Sequence, residues 1–505
     1  MKKMIVLMIF VFCLISMVFA GGIVTNTNQS AAFMRTLNRN ASTDVDAAYF
    51  NPAGLTKLSD GLHFDISNQS IWQMKTIDNS TTTLHKSEFV GKVQALMFPT
   101  AYAVYKKNRI AVALGVNPIG GGGSADYDKG LPSFEAPVSG LKTSLAQIGV
   151  TDYDLDVSFS GSSIYLGFQG GVAFKLNDIV SIFGGARLVT ASNGYEGYLK
   201  NIQVNRAGTW ESPWTFFETQ ATATAGAASS LQPLIDGGAS ALTLAQAQGA
   251  GYLSADQVAQ LEGGLVAAGV DPTGYNIAQV QGAYSVVSAT MTATGNAVKA
   301  QTSDKEVDAA QKGSGIAAII GLNLTPMEGL NIGIRYESKA KMELENETEK
   351  DDTGLFPDGA KTGADMPSQF ALGVSYCLTP KLKLMSDFNF FNNANVDWDS
   401  AEVNFDNTLE FGLAAEYKLT EKLLVSAGYL KSTSGAKSVG QSDMDYNLDS
   451  WTLGAGLRYS VTPSIAVNIG ALNTFYTEAK KTTGTIIEKY NQTTFGFAFG
   501  LQASL

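Results

Sequence analysis

The sequence predicts an all-β fold, a transmembrane antiparallel β-barrel of about 14 strands. Three observations support this prediction. Segments that alternate apolar and polar residues recur as far as the C-terminus, short and long connections alternate between them, and the chain opens on a stretch typical of exported proteins. The 505 residues include 52 glycines and 10% aromatic residues, which suits a chain built from many exposed strands.

Residues 1–20 are predicted to be a signal peptide. Lys2 and Lys3 precede an apolar run, and the small residue Ala20 ends it. A retained transmembrane anchor is the alternative, but the run is short for one, and no later run could span a bilayer as a helix. Cys377 is then the only cysteine of the exported chain, which rules out an internal disulfide. We expect a multi-pass protein of a Gram-negative outer membrane.

Composition and motifs exclude several classes of function. The net charge is −11 and no basic stripe is present, so nucleic-acid binding is not expected. The chain has only two histidines, His63 and His85, and it lacks a nucleophile elbow, a zinc motif and a phosphate loop. The sequence therefore predicts a protein that is not an enzyme and that needs neither a cofactor nor a metal ion.

The alternation of apolar and polar residues is clearest in the C-terminal half. In "LNIGIRYES" the residues Leu330, Ile332 and Ile334 share one face, and in the final "TFGFAFGLQASL" Phe495 and Phe497 do the same. The segments "QFALGVSYC", "TLEFGLAAEY" and "WTLGAGLRY" follow the same pattern. One face is aliphatic and aromatic while the other mixes Gly, Asn, Arg and Glu. A soluble sandwich is the alternative, but its outer face should be polar.

The connections support a barrel of even strand number. Short turns follow Leu324, Cys377, Lys418 and Ser460, and read "TPMEG", "LTPK", "LTEK" and "VTPS". Long connections fall between them. Bacterial barrels place short turns in the periplasm and long loops outside the cell, so we assign the short turns to the periplasmic side.

Several segments resemble the long-chain fatty acid transporters of the FadL/TodX type, which are outer-membrane barrels for hydrophobic molecules. The segments are "YFNPAGLTKLSDG" at 49–61, "GIRYESKAKMELE" at 333–345, "DMPSQFALGVSYCLTPKLKLMSDFNF" at 365–390 and "LTEKLLVSAGYL" at 419–430. The resemblance covers the chain from about residue 22 to the C-terminus, apart from one large gap.

The resemblance implies that residues 21–58 form a small helical hatch in the lumen of a barrel that spans residues 59–505. The motif of the hatch comprises Asn51, Pro52, Ala53 and Gly54. Pro and Gly end helices, and so irregular a stretch does not suit a lipid-exposed strand. A mobile periplasmic tail is the alternative.

The resemblance also implies that ligand leaves sideways, through an opening in the wall where one strand is distorted. The third strand, "RIAVALGVNPIGGGG", contains Asn117, Pro118, Gly120 and Gly121, and Pro and Gly both weaken strand pairing. We place the candidate lateral opening at these residues. The alternative is that they begin a long loop through residue 160.

Three arginines on the lumen face are candidate contacts for a ligand head group: Arg187, Arg335 and Arg458. An arginine that points into a barrel is often paired with a nearby acid. We expect Glu337 and Glu410 to compete with a ligand head group for these arginines.

Residues 206–312 form an insert without strand periodicity. Ser254 to Gln257 predicts a capping box for a helix through Ala268, and apolar residues recur at helical spacing from Ile277 to Met291. The strand count places the insert outside the cell, either as a cap that captures ligand or as self-packed helices.

The function predicted is passive, hatch-gated transport of hydrophobic molecules, such as long-chain fatty acids, with lateral exit. The alternatives are a general porin for small solutes and a surface adhesin or receptor that acts through the insert. The expected partners are a hydrophobic, fatty acid-like small molecule and outer-membrane lipids, and the expected state is a monomer.

Overall fold

The computed structural model describes residues 25–505, so the predicted signal peptide lies outside the described residues. The described residues form two compact units, and the first consists of residues 25–137, 157–198 and 305–505. This unit is a closed antiparallel β-barrel of 14 strands. The predicted fold class is therefore confirmed.

The wall strands follow the chain in order around the barrel. The strands are β1 (Gly61–Asn79), β2 (Glu88–Lys107), β3 (Ile110–Tyr127), β4 (Val150–Lys175), β5 (Val180–Arg206), β6 (Thr209–Glu211), β7 (Lys305–Met327), β8 (Leu330–Glu337), β9 (Glu343–Asp351), β10 (Lys361–Gly363), β11 (Ser368–Cys377), β12 (Leu382–Asn392), β13 (Thr408–Lys418), β14 (Leu423–Thr433), β15 (Ser450–Thr462), β16 (Ile465–Tyr476), β17 (Ala479–Thr483) and β18 (Ile486–Ser504). The first and last strands pair from His63↔Ser504 to Asn79↔Glu488, which closes the ring.

Six of these elements are pieces of longer strands or lie outside the wall. β8 and β9 both pair with β7, and β10 pairs with β9 where β11 pairs with β8, so each pair forms one interrupted strand. β17 pairs with β18 beyond the end of β16, and β6 forms a hairpin with the end of β5. The ring therefore contains an even number of strands.

The alternation predicted from the sequence separates two faces. On the last strand, Phe495, Phe497 and Phe499 are 42–50% exposed, whereas Ala498 is fully buried. An apolar face that stays exposed in the isolated chain is the lipid-facing surface of a membrane barrel. The buried side of each strand faces the lumen.

The N-terminal segment, defined here as residues 25–58, is almost wholly buried. It contains α1 (Ala31–Thr36), α2 (Ala47–Phe50) and a 3₁₀-helix (Pro52–Lys57). The side chain of Ser30 accepts the N–H of Phe33 and so caps α1. Phe33 and Phe50 stack with ring centroids 5.6 Å apart, which ties α1 to α2.

Lumen-facing glycines allow this segment to lie directly against the wall. A Cβ atom on any of them would press on residues 31–51 of the segment. These glycines are Gly333, Gly373, Gly412, Gly428, Gly454, Gly456, Gly470, Gly496 and Gly500. They lie on most of the strands from β8 round to β18, so the segment packs against the inner face of more than half of the barrel.

A larger side chain at one of these glycines should displace the N-terminal segment. At Gly428 a Cβ would overlap the carbonyl oxygen of Thr36, and overpacking of this kind costs about 1–3 kcal/mol. We expect Gly428→Val to raise amide hydrogen exchange across residues 31–57. Gly184→Val is the matched control, because Gly184 is exposed and a Cβ there meets no atom within 4 Å. Equal exchange in both variants would contradict the close packing.

The second unit consists of residues 138–156 and 199–304. The helices outside the N-terminal segment are α3 (Pro132–Ser139), α4 (Leu141–Ser144), α5 (Thr215–Ser230), α6 (Gln232–Asp236), α7 (Leu244–Gly249), α8 (Ala255–Ala267) and α9 (Ile277–Thr302), with 3₁₀-helices at Ala146–Ile148, Asn393–Asn395, Ala401–Asn404 and Ser438–Gly440. The length and apolarity that a membrane-spanning helix requires are not found together in any helix of residues 25–505.

Two predictions for the insert can be compared with this unit. The capping box at Ser254 and Gln257 is present and starts α8, so that prediction is confirmed. Ile277, Val280, Tyr284 and Val287 are buried in one cluster with residues of α7 and α8. The predicted end of the insert at residue 312 was wrong. β7 begins at Lys305, and its first residues lack the apolar face by which a strand is recognised in sequence.

Candidate functional site

The pairing between β2 and β3 is interrupted. Lys92 and Val93 pair with Asp126 and Ala125, and the ladder then resumes only at Ala101↔Val116. The residues of the two strands between these points form no ladder with each other. The pairing of the wall is therefore interrupted beside Asn117, Pro118, Gly120 and Gly121, the residues chosen from the sequence.

The cause is a bulge in β3. Pro118 pairs with Leu166 and Gly123 with Ser163, so β3 contains two more residues than β4 over this stretch. Gly121 and Gly123 have φ values of +83° and +86°, which favour glycine. β3 continues past the bulge as far as Tyr127. The alternative that these residues begin a long loop was therefore wrong, because β4 pairs with both halves of the strand.

The N-terminal segment forms hydrogen bonds with the bulge. The backbone N–H of Asn26 donates to the carbonyl of Ile119 (2.8 Å), and its side chain donates to the carbonyl of Gly121 (2.7 Å). Gln29 Nε2 donates to the carbonyl of Pro118, and Asn117 Nδ2 donates to Gln29 Oε1, each at 2.8 Å. The distorted strand and the N-terminal segment thus hold each other in place.

A cavity of about 400 Å³ lies beside the bulge within the barrel unit. This volume is within the range of small-molecule sites, about 300–1,000 Å³. The lining combines aromatic rings with polar groups: Tyr127, Phe159, Tyr165, Tyr195, Phe391, Tyr446 and Tyr476 with Gln73, Lys75, Asn193, Glu410, Ser432, Asp445 and Gln492. Several of these rings also belong to a buried apolar cluster, in which Tyr195 stacks on Phe356 at 4.8 Å.

Charge within the cavity comes from Lys75, Asp445 and Glu410. The Lys75 Nζ atom lies 4.8 Å from the ring centroid of Tyr446, a distance at which cation–π attraction operates. Burial raises the pKa of Asp445, and Lys75 partly offsets this effect. Such a lining can hold an apolar ring and also bind a polar substituent.

A second cavity, of about 200 Å³, lies between the N-terminal segment and the wall. Phe33, Met34 and Leu37 of the segment line it, together with wall residues such as Phe98 and Leu472. The two cavities share the lining residues Asn26, Gln73, Gly121, Gly122, Glu410, Ser432 and Tyr476. They therefore adjoin, and the bulge of β3 borders both.

The N-terminal segment is also held by buried charges. Arg39 donates to both carboxylate oxygens of Asp46 (2.8 and 2.7 Å) and to Asp44 (2.6 Å), and Arg35 pairs with Glu416 (2.5 Å). Burial favours the neutral form of Asp44, but Arg458 and Arg39 outweigh it and hold the pKa of Asp44 well below its usual range. The segment therefore carries its charges in matched pairs.

The motif Asn51 to Gly54 lies in this buried segment. Asn51 Nδ2 donates to the carbonyl of Ser42 (2.9 Å) and to Asn323 Oδ1 of the wall (2.7 Å). Pro52 occupies the first turn of the 3₁₀-helix, and Ala53 is fully buried. A Cβ on Gly54 would clash with Asn51 and Ser42. Through Asn51, the motif thus connects Ser42 of the N-terminal segment to Asn323 of the wall.

The three lumen arginines are engaged with protein groups. Arg187 Nη1 donates to both carboxylate oxygens of Glu337 (2.7 and 2.8 Å), and the Arg187 guanidinium lies 4.7 Å from the ring centroid of Tyr49 in the N-terminal segment. Arg335 donates to the carbonyl of Tyr49 (2.5 Å), and Arg458 pairs with Asp44 (3.1 Å). None of the three lines the 400 Å³ cavity as described for residues 25–505. A head-group role for them stays a prediction, and their contacts hold the N-terminal segment.

Sequence reasoning missed Lys75 and the loop residues 444–448 of the cavity. The alternation of β1, with Trp72 and Met74 exposed, indicates that Gln73 and Lys75 face the lumen. No comparable pattern marks Tyr446, which comes from an irregular loop. Within residues 25–505, no three His, Cys, Asp or Glu side chains are arranged to hold a metal ion.

Comparison with known proteins agrees with this architecture. A family model described as a putative MetA-pathway of phenol degradation matches residues 344–486. A crystal structure of a Pseudomonas aeruginosa FadL homologue is similar over 96% of this chain and 100% of that chain, with 13% identity and a TM-score of 0.59. No curated protein matches the chain.

Two further solved structures come from one transporter. The Pseudomonas putida toluene transporter TodX matches 96% of this chain and 100% of its own, with 11% identity and a TM-score of 0.54. A deltaS2S3 mutant of TodX, described as a monoaromatic hydrocarbon channel, matches 94% and 99% with 13% identity and a TM-score of 0.53. The fold, with its exposed apolar face, thus defines a closed antiparallel β-barrel of the membrane-spanning kind. More particularly, the chain has the fold of the FadL/TodX-type transporters.

Proposed function

We propose that this protein is a passive outer-membrane channel for hydrophobic small molecules, in which the N-terminal segment is a hatch and the break between β2 and β3 is the lateral exit. One observation carries the proposal. The bulge of β3 simultaneously interrupts the wall, borders both cavities and binds the N-terminal segment. A ligand in the cavity would therefore lie beside a part of the wall in which β2 and β3 do not pair.

The lining of the cavity favours aromatic compounds that carry a polar substituent. Rings such as Tyr165 and Tyr446 offer apolar surface, and Lys75 and Glu410 offer a donor and an acceptor. The toluene and monoaromatic hydrocarbon channels agree with a preference for an aromatic ring, and the family described by phenol degradation agrees with a polar substituent on it. A long-chain fatty acid is the second candidate, because the adjoining cavity next to Met34 and Leu37 lengthens the apolar path.

The filled lumen argues against a general porin. An open pore for hydrophilic solutes needs a continuous water path, whereas residues 31–51 lie against the glycines of the inner wall so closely that a methyl group at those glycines would clash. If the protein were an adhesin that acts through the insert, the hydrogen bonds between the β3 bulge and the N-terminal segment would have no function. The predicted helical insert has an apolar core of its own, so capture of ligand by it remains a prediction.

A disulfide that joins β2 to β3 across the unpaired stretch should stop the uptake of hydrophobic compounds. A Cβ at Gly123 would lie 3.2 Å from the Cβ of Ala95 across the break, close to the separation of about 3.8 Å found in disulfides. We expect Ala95→Cys/Gly123→Cys, in a Cys377→Ser background, to lose at least 80% of phenol or toluene uptake into cells when oxidised, as an order-of-magnitude estimate. Reduction with dithiothreitol should restore it.

The single variants Ala95→Cys and Gly123→Cys are the controls for backbone strain, since Gly123 has a positive φ. Both should transport normally in oxidant. If the oxidised double variant still accumulates the compound at the rate of the reduced one, the exit is elsewhere. If oxidation of the double variant lowers the uptake of small sugars and leaves the uptake of apolar compounds unchanged, the porin alternative is correct.

A further inference from the structure

Two side chains of opposite charge face the 400 Å³ cavity, Lys75 of β1 and Asp445 of the loop between β14 and β15. Burial raises the pKa of Asp445 and Lys75 lowers it, so the two charges act on each other. Within residues 25–505, however, they form no salt bridge, and neither side chain takes part in a hydrogen bond. The described residues thus leave a donor and an acceptor available in the same cavity.

The remaining charged residue of the lining, as described for residues 25–505, is already bonded. This residue is Glu410, which accepts a hydrogen bond from Asn389 Nδ2 (3.0 Å). Uncharged groups of the lining also bind protein groups, as Gln492 Nε2 does when it donates to the hydroxyl of Tyr476 (3.1 Å). Lys75 and Asp445 are therefore the charged groups of the cavity that a ligand can satisfy.

An aromatic surface lies beside these two charges. The Nζ atom of Lys75 is 4.8 Å from the ring centroid of Tyr446, the residue after Asp445. The Tyr446 hydroxyl donates to the carbonyl of Asn491 (2.8 Å), and its ring centroid lies 5.0 Å from that of Tyr490, so the ring is held in place. A ligand ring that packs against Tyr446 can therefore carry a substituent to both charges.

A hydroxyl group on such a ring suits both charges at once. Its oxygen accepts a hydrogen bond from an ammonium and its O–H donates to a carboxylate, each over about 2.6–2.8 Å. One oxygen thus connects two groups that lie about 4–5 Å apart, which is farther than a direct salt bridge reaches. A phenol also reproduces both hydrogen bonds of a water molecule in that position, which a hydrocarbon cannot do.

Other aromatic compounds satisfy these charges less well. Toluene in the cavity leaves both Lys75 and Asp445 without a hydrogen bond, and a buried polar group without a partner costs free energy. Benzoate pairs with Lys75 but meets the carboxylates of Asp445 and Glu410, and like charges in one site disfavour its ionised form.

We propose that Lys75 and Asp445 together select the hydroxyl of a phenol, so that the cavity binds phenols in preference to aromatic hydrocarbons and aromatic acids. This selectivity rests on the proposed function, because it requires the cavity to be the ligand site. Lys75 donates to the phenol oxygen, Asp445 accepts the phenol O–H, and the two acids of the lining exclude anionic rings.

Isothermal titration calorimetry of the purified protein with phenol, toluene and benzoate tests this selectivity. We expect the wild-type protein to bind phenol about tenfold more tightly than either of the other compounds. Lys75→Met should lower the ratio of phenol to toluene affinity about tenfold, because the donor is lost. Asp445→Asn should raise the affinity for benzoate severalfold, because one repelling carboxylate is removed.

Lys92→Met is the matched control. Lys92 lies on β2 opposite Met74, is exposed, and is not among the described residues that line the cavity, so its loss should not change the affinity ratios. Equal wild-type affinities for phenol and toluene, equal loss of both in Lys75→Met, or unchanged benzoate affinity in Asp445→Asn overturns the selectivity and leaves the proposed function standing. If the wild-type protein binds none of the three compounds, both proposals are overturned.

Discussion

Removal of residues 21–58, with the predicted signal peptide kept, should convert the protein into a stable ion channel. Barrels of about 8 strands are filled by side chains and those of 16 or more leave water channels, so a ring of 14 is wide enough to conduct once it is empty. The intact protein in a planar bilayer should show little steady conductance. The shortened protein should show large and stable openings.

The shortened protein must first be shown to form a barrel, by heat-modifiable migration on a gel. If it does not, Gly428→Val keeps the full chain and displaces the segment by the close contact at Thr36, so its conductance carries the test. Replacement of Asn51 and Pro52 together should loosen the segment and barely raise conductance. Equal conductance of intact and shortened protein would mean that the N-terminal segment does not close the lumen.

Loss of Arg39 should loosen the N-terminal segment within the lumen, because the side-chain partners of Arg39 belong to the segment itself. Arg39 is 1% exposed and binds Asp46, Asp44 and Ser42 through four hydrogen bonds. Breaking a buried ion pair by removing one partner typically costs about 3–5 kcal/mol, because the remaining charge is left uncompensated. Arg39→Met should raise amide hydrogen exchange in residues 31–57 by at least a hundredfold, on the order of 3 kcal/mol.

The matched control is Lys312→Gln. Lys312 and Glu347 form a salt bridge in which both side chains are more than half exposed, and such pairs contribute about 0–1 kcal/mol. Exchange in the N-terminal segment should not change in this variant. Arg39→Lys should restore only part of the protection, because lysine cannot bind both oxygens of Asp46 at once. Unchanged exchange in Arg39→Met would show that the ion pairs do not position the segment.

Both experiments address the coupling between the proposed hatch and the proposed exit. The segment that carries Arg39 also carries Asn26 and Gln29, whose side chains bind the bulge of β3. A ligand that displaces the segment from the cavity side would also free the carbonyls of Pro118 and Gly121. We expect Arg39→Met to raise exchange at residues 117–123 as well, which hydrogen exchange of the same sample reports.

The sequence alone determined the class of fold, because that information is local. Lipid on one side and a polar lumen on the other force alternation at period two, which Phe495, Phe497 and Phe499 display directly. The short turns could be read because Thr, Pro and Gly stop strands by their own geometry. The capping box at Ser254 could be predicted for the same reason, since it involves only a residue and its third neighbour.

The sequence determined only part of the structure of β3. Pro118 and the run of glycines indicated a distortion, yet a loop and a broken strand have the same local signature. Only the pairing of residues on both sides of the bulge with β4 decided between them. In the same way, residues 305–312 read as insert until the pairing of β7 with β9 showed a strand.

Only the tertiary structure decided which polar groups meet in the lumen. Arg35 and Glu416 are separated by 381 residues, and Arg187 and Glu337 by 150. Glu410, the other expected partner of the arginines, instead accepts a hydrogen bond from Asn389 and lines the cavity. The alternation shows that such residues face inward, but their height and position around the ring depend on the closure of the whole barrel. Charges buried there are stable only in matched pairs, and those pairs form between strands that no local pattern connects.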